Sequence, residues 1–204
     1  MYEQHIILDF EMNPIAARYR TPENYLEREI VEIGAVRLGK NAERVDNFQC
    51  YIKPAYNDTI TYDIKKLTGI TVTDVHKAIS FADAVKAFAD WVGYEKKTRV
   101  YSWSTSDLYQ LWDECDWKAV AFPPNFRRWM DFQPIFPRLM EINTVGRLSL
   151  TMAAQWYGIE MDTKKAHDAL YDAEITAELI APFLTGEYKV QRDCLKKILN
   201  GGKI

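Results

Sequence analysis

The chain of 204 residues has no apolar run near the roughly 20 residues that cross a bilayer, so membrane-spanning functions are set aside. Its start carries Glu3 and Asp9 where a signal peptide would place basic residues ahead of an apolar stretch, and a cytoplasmic location is expected. Cysteine is scarce. Cys50, Cys115 and Cys194 are odd in number, far apart and outside any C-x-x-C or zinc spacing, which argues against a disulfide framework or a cysteine-built zinc site and predicts free thiols. A surplus of positive charge is also lacking: 26 Lys and Arg face 29 Asp and Glu, a net charge of -3. Coating long nucleic acids requires neutralising many phosphates, so that role is disfavoured, while gripping a single strand end is not. Internal repeats, low-complexity tracts and linkers are missing too, which leaves one domain with one site to find.

What remains is ordinary globular composition, 48% hydrophobic and 27% charged. Cations gather locally at Arg18, Arg20 and Arg28, at Lys96, Lys97 and Arg99, at Arg127 and Arg128, and at Lys164 and Lys165; each group alone reads as solvated surface. Six Trp and twelve Tyr could stack on bases, although most such residues serve a core or a surface.

The first half reads as strands: His5 to Phe10, Glu29 to Leu38 and, after a Gly39-Lys40-Asn41 turn, Val45 to Lys53. The polar stretch Asn13 to Arg28 between the first two is long enough to suggest a substrate-facing loop. Pro54 closes the third strand. Thr61 to Leu67, Thr73 to Ala78 and Phe81 to Val92 have the polar openings and apolar spacing of helices, and Val100 to Trp103 makes a short strand. Helical segments follow near Leu108 to Asp113, Phe132 to Glu141, Ser149 to Tyr157 and Asp168 to Leu184. Strands first, then one more strand among helices, predict an α/β sheet with helices on its faces.

The pattern predicts a first strand ending in two acids, Asp9 and Glu11, and period two puts both on one face. Like charges held close and desolvated drive one carboxylate to take up a proton unless a cation compensates them. Oxygen ligands suit Mg²⁺ or Mn²⁺; an exposed strand end with merely solvated acids is the plain alternative. Asp107 stands where a helix begins after the Val100 strand, a position that would also favour an acid through the helix dipole. At about 100° per residue, Leu170, Ala173, Thr176, Ala177, Leu179 and Ile180 form one mainly apolar arc, and Asp172 falls inside it while Glu174 and Glu178 share the polar face. An inward carboxylate needs a partner. His167, beside the potential cap Asp168, could lean toward the same point from the loop.

Taken in order, Asp9-x-Glu11, Asp107 and His167-x-x-x-x-Asp172 resemble the exonuclease motifs of the DEDDh family of 3′-to-5′ exonucleases. Glu29-Ile-Val-Glu-Ile-Gly-Ala-Val36 looks like that family's second strand and Leu67-Thr-Gly-Ile70 like its substrate-side turn. Tyr51-Ile-Lys-Pro54 and Leu148-Ser-Leu-Thr-Met152 look closest to the Eri-type, histone-mRNA-exonuclease-like branch that includes bacterial KapD-like proteins. The resemblance implies an α/β, ribonuclease-H-like fold with a mixed five-stranded sheet, the second strand antiparallel to the rest, over residues 1–187, with 188–204 a short C-terminal extension. It also implies two Mg²⁺ or Mn²⁺ ions held by Asp9, Glu11, Asp107 and Asp172, with His167 as general base. The substrate would be RNA or single-stranded DNA with a free 3′ end, contacted by Phe10, Met12, Leu67, Thr68 and Ile70. One departure stands out: many members carry an aromatic residue immediately before the Asp matching Asp107, where this chain has Ser106. A catalytically silent nucleic-acid-binding module is the main competing function. A phosphatase with an aspartyl nucleophile would want a second Asp where Glu11 stands.

Overall fold

A computed structural model describes residues 2–20, 26–57, 59–144 and 146–199. Five strands make one sheet, β1 (Gln4–Pro14), β2 (Arg28–Gly39), β3 (Arg44–Tyr51), β4 (Thr98–Ser102) and β5 (Trp129–Asp131), in the order β3-β2-β1-β4-β5. β2 runs antiparallel to both neighbours, and β1, β4 and β5 are mutually parallel. This is the mixed sheet expected, with β2 as the reversed strand.

Among the described residues eight α-helices are numbered in chain order, α1 (Tyr62–Thr68), α2 (Val72–His76), α3 (Phe81–Val92), α4 (Ser106–Trp117), α5 (Ile135–Met140), α6 (Leu150–Tyr157), α7 (Ala169–Thr185) and α8 (Tyr188–Leu199). None of the described helices is long and apolar enough to cross a membrane. β1 is central, and its residues alternate between two cores. Ile6, Leu8 and Phe10 join Phe81, Phe88 and Val92 of α3 and Leu111 of α4. Ile7 faces the other way, toward Phe136, Ala153, Ala173 and Ile180 of α5, α6 and α7. Burial on both faces is why the strand reads as one continuous apolar run rather than an alternation. Asp9 and Glu11 continue the Ile7 face, toward α7.

Two buried devices set where the helices stand. The Glu114 carboxylate of α4 accepts the Ile30 N–H at 2.8 Å and pairs with Lys118, whose Nζ also meets Glu29 at 2.8 Å. Glu29 in turn accepts the Ala55 and Tyr56 N–H groups. The network pins α4 to β2, and so fixes where its N-terminus, with Asp107, arrives. On the opposite face, α7 starts in direct contact with β2 at Gly34, where any Cβ would lie 2.1 Å from the Ala169 carbonyl carbon. Only glycine admits that approach, and Gly34 is the cross-strand partner of Asp9.

Several expectations need correction. β1 does not end in its acids but runs on to Pro14, with a bulge between Glu11 and Met12; pairing with β2 continues where the apolar pattern has already stopped. The polar loop is correspondingly shorter, contains a 3-10 turn at Ala17–Tyr19, and residues 21–25 of it lie outside the described residues. β5 has no counterpart in the sequence reading, and the helix expected from Phe132 begins at Ile135. Three residues give no measurable periodicity, and β5 exists because β4 offers it an edge. α4 extends four residues beyond Asp113. The segment after residue 187 forms α8 as far as Leu199, with Leu195 buried in the core shared by α5, α6 and α7, and residues 200–204 lie outside the described residues.

Candidate active site

The carboxylates meet because β1 outruns β4. The parallel pairing ends at Ile7–Tyr101, and the chain then leaves β4 to open α4. The β1 edge beyond Ile7 is vacated, and Asp107 fills part of it: its carboxylate accepts both its own N–H and that of Phe10. Asp107 is only 4% exposed. From the other side, α7 brings Asp172 in its first turn, with Asp168 capping the helix by accepting the Tyr171 N–H at 2.9 Å. His167, just before that cap, has a left-handed backbone, φ 68°, and its N–H donates to Asp172 Oδ2 at 3.2 Å. That backbone conformation turns the exposed imidazole back over the site. Ligand atoms of Glu11, His167 and Asp172 all lie within 4.8 Å of one another.

Electrostatics show how crowded the point is. Burial pushes the Asp9 carboxyl well above its usual range, and Asp107, Glu11, Asp172 and Glu32 push it further. Burial and then Asp172, Glu32, Asp107 and Asp168 raise Glu11 to about 9. Asp107 is raised to about 7 by burial, against the two N–H groups it accepts. Asp172 is raised by burial, opposed by its His167 contacts. Among the described residues no ion pair neutralises any of these four acids, and Asp172 Oδ1 is a buried oxygen without a hydrogen-bond partner. Converging carboxylates, an orphaned oxygen and a nearby imidazole suit an oxygen-preferring divalent cation.

Glu32 went unnoticed as a member of this cluster. It sits directly across from Glu11 in the β1–β2 ladder, is buried, and is raised to about 7 by burial, with hydrogen bonds from Gln49 and the Ala169 N–H opposing the rise. The signal was present as a lone acid inside the apolar run of β2. Asp131, at the end of β5, is a second neighbour missed, and it adds to the rise at Asp107.

The residues expected to touch substrate fall into two groups. Met12 and Leu67 are accessible, Leu67 being 49% exposed. Phe10 packs in the core against Trp129, and Ile70 is buried among Val31, Ile60 and Val75. The Thr68 hydroxyl is engaged within its own turn, donating to the Ile64 carbonyl and accepting the Ile70 N–H. Beside the carboxylates runs a cleft of about 350 Å³ lined by Met12, Leu26, Glu27, Arg28, Ser106, Tyr109, Gln110 and Asp113, with Tyr109 62% exposed at its rim.

The family model described as "Exonuclease" matches residues 6–180, which span every one of these side chains. The chain belongs to the exonuclease family. Among curated members of similar sequence are human 3′-5′ exoribonuclease 1, 23% identical over 90% of this chain and 53% of that protein, and the probable 3′-5′ exonuclease KapD of Bacillus subtilis (strain 168), 28% identical over 82% and 78%. The chain spans about half the length of the curated mammalian relatives it matches, 53% to 58%. Among solved structures, the nuclease domain of 3′hExo, a DEDDh family member bound to rAMP, superposes with a TM-score of 0.77 at 25% identity over 91% of this chain and 93% of that one. Escherichia coli exonuclease I in complex with a dT13 oligonucleotide shares the fold at a TM-score of 0.69, 15% identity, and coverage of 97% and 43%.

The repulsion among these carboxylates has a measurable consequence. A carboxylate whose folded-state pKa is raised holds a proton that the unfolded chain gives up. Metal-free stability should therefore be greatest at acid pH. It should fall as pH climbs from the ordinary value of 4.5 through about 7 at Glu32 and about 9 at Glu11. Asp172→Asn deletes one charge while keeping an oxygen for the His167 N–H, and its new amide can donate toward Glu11. In chelator at pH 8 it should be more stable than the parent by about 1 kcal/mol, or roughly 2–4 °C in Tm. Saturating Mn²⁺ should narrow or reverse the order, because the mutant binds the stabilising ion more weakly. Thermal melts across pH with and without metal decide the matter. A lower Tm for Asp172→Asn in chelator, with equal metal shifts in both proteins, would make Asp172 an ordinary structural acid.

Proposed function

We propose that the chain is a divalent-metal-dependent 3′-to-5′ exonuclease that hydrolyses RNA or single-stranded DNA from a free 3′ end and releases 5′-mononucleotides. The observation that carries this reading is the gathering of Glu11, His167 and Asp172 ligand atoms within 4.8 Å of one another, with Asp9 and Asp107 acting electrostatically on the same acids. The four carboxylates would hold two Mg²⁺ or Mn²⁺ ions, which when bound supply charge stabilisation at the phosphate and a lower pKa for the attacking water. The His167 imidazole would accept the proton from the attacking water as general base.

The remaining residues position. The Phe10 N–H orients Asp107, while the Phe10 and Ile70 side chains act only through the cores they pack in. Met12, Leu67 and the Thr68 turn present the accessible surface against the terminal nucleotide. The cleft at Arg28, Ser106 and Tyr109 receives the preceding nucleotides, with Tyr109 placed one helical turn from Ser106 to offer a ring face. Support for an RNA or DNA strand also comes from the relatives, one named an exoribonuclease and another solved with a dT13 oligonucleotide. The three free thiols suit a reducing cytoplasm. A silent binding module is disfavoured by an acid set with none of its members replaced. End-labelled linear and circular single strands incubated with Mn²⁺ test the proposal: the linear strand should shorten stepwise to 5′-mononucleotides and the circle should persist. Cleavage of both at the same rate would overturn it.

A further inference from the structure

Two basic clusters that look like separate pieces of surface in the sequence meet in space. β4 and β5 are parallel neighbours with Val100 opposite Trp129, so the chain enters both strands at one end of the sheet, the end where β1 begins. Lys96 and Lys97 from one entry loop and Arg127 and Arg128 from the other line a hollow of about 470 Å³. Beside it the Tyr2 ring gathers three cations: Lys97, Arg99 and Arg128 lie 5.8, 5.2 and 5.9 Å from its centroid. Arg99 Nη1 also donates to the Tyr2 hydroxyl at 2.8 Å.

The charge here is not balanced locally. Of the two nearby acids, Glu3 and Glu95, the Glu3 carboxylate accepts the Lys97 backbone N–H at 2.9 Å. Among the described residues no ion pair engages Lys96, Lys97, Arg99, Arg127 or Arg128. Buried beneath, His5 is held below its usual pKa by burial and by Arg99. In a chain of net charge -3, such a concentration of unpaired cations raises a local positive potential that a polyanion offsets.

We propose that this end of the sheet is a second, sequence-independent binding site for the sugar-phosphate backbone of a nucleic-acid strand, separate from the carboxylate cluster. Two loops supply a spread of cations rather than a single cradle, and Tyr94, 58% exposed at the rim, adds a ring for a base. Among the described residues lining the hollow, no exposed Leu, Ile, Val, Met or Phe joins Tyr94 to enter a lipid surface. β1 spans the distance between the two sites: from Gln4 to Glu11 at ~3.3 Å per residue is about 23 Å, roughly the length of seven stacked nucleotides at ~3.4 Å each. A strand longer than this reaches the basic end while its 3′ terminus sits at the carboxylates. A mononucleotide ester does not.

The site goes beyond the exonuclease reading and does not need hydrolysis to be tested. The variants are the pair Lys97→Glu with Arg128→Glu and the milder triple Lys97→Ala, Arg127→Ala and Arg128→Ala, whose fold is checked by melting. Fluorescence anisotropy with a 5′-labelled 30-nucleotide single strand in chelator should show affinity falling about tenfold or more. The slope of log K against log salt should flatten by about 2, three phosphates at ~0.7 each. Hydrolysis of thymidine 5′-monophosphate p-nitrophenyl ester with Mn²⁺ should be unchanged. Unaltered strand affinity and salt slope in the folded alanine triple would overturn the proposal. So would displacement of the strand from the wild-type site by anionic lipid vesicles at far lower phosphate concentration than by unlabelled strand. If the wild-type protein leaves the ester intact, the exonuclease reading fails, and the anisotropy result still decides this one.

Discussion

Asp9→Asn is expected to reduce phosphodiester hydrolysis by on the order of 10³-fold or more, while leaving a protein at least as stable as the parent in chelator. Asp107, Glu11, Asp172 and Glu32 all press on Asp9, so under the proposed function it would help hold the ions. An ion supplies several kcal/mol of charge stabilisation at the phosphate, and each ~1.4 kcal/mol lost is a factor of ten in rate. The amide keeps the shape of the carboxyl but removes a buried charge that burial and four neighbours already disfavour. Activity and metal-free stability should thus move in opposite directions, which a variant that merely misfolds cannot imitate. Turnover of the thymidine ester, Mn²⁺ titration calorimetry and melting in chelator provide the three readings. Activity within tenfold of wild type would remove Asp9 from the metal site.

The second large effect is at His167. Its replacement should lower turnover by about 10²- to 10⁴-fold, the usual contribution of a general base, with the deficit shrinking as pH rises and hydroxide replaces the base. The choice of substitution matters because His167 has a φ of 68°. Alanine is less common in the left-handed region than histidine or asparagine, and a shift of that turn would also disturb the N–H donated to Asp172. Asparagine tolerates the conformation, keeps the backbone contact and cannot accept a proton near neutrality. His167→Asn should therefore lose as much turnover as His167→Ala while retaining the wild-type Tm and Mn²⁺ affinity. Wild-type turnover in the asparagine variant at neutral pH would exclude the assigned role.

Much of this site was legible because its chemistry violates local pattern. Two acids in phase on a strand apolar enough to be central, and a carboxylate inside the apolar arc of α7, are choices that folding alone does not favour. Glu32 has the same signature, yet it looked unexceptional because its partner across the ladder could be known only from register, with Glu11 opposite Glu32. Ile70 and Phe10 show the converse. Apolar residues adjoining a motif look available for substrate, and burial in two different cores took their side chains away.

By itself the sequence determined β1 to β4 and α1 to α7 in their order, the reversed β2 through its resemblance to a known family, and the candidate acids and histidine. These depend on periodicity and residue type within short windows, which the chain carries locally. Tertiary structure alone decided that β1 outlasts β4, so that the Phe10 N–H is left for Asp107, and that β5 forms at all. It also decided that α7 lies against Gly34, and that Lys96, Lys97, Arg127 and Arg128 share one hollow. Each of these depends on which backbone edge or face a distant segment occupies, and that is set by packing rather than by any window of sequence.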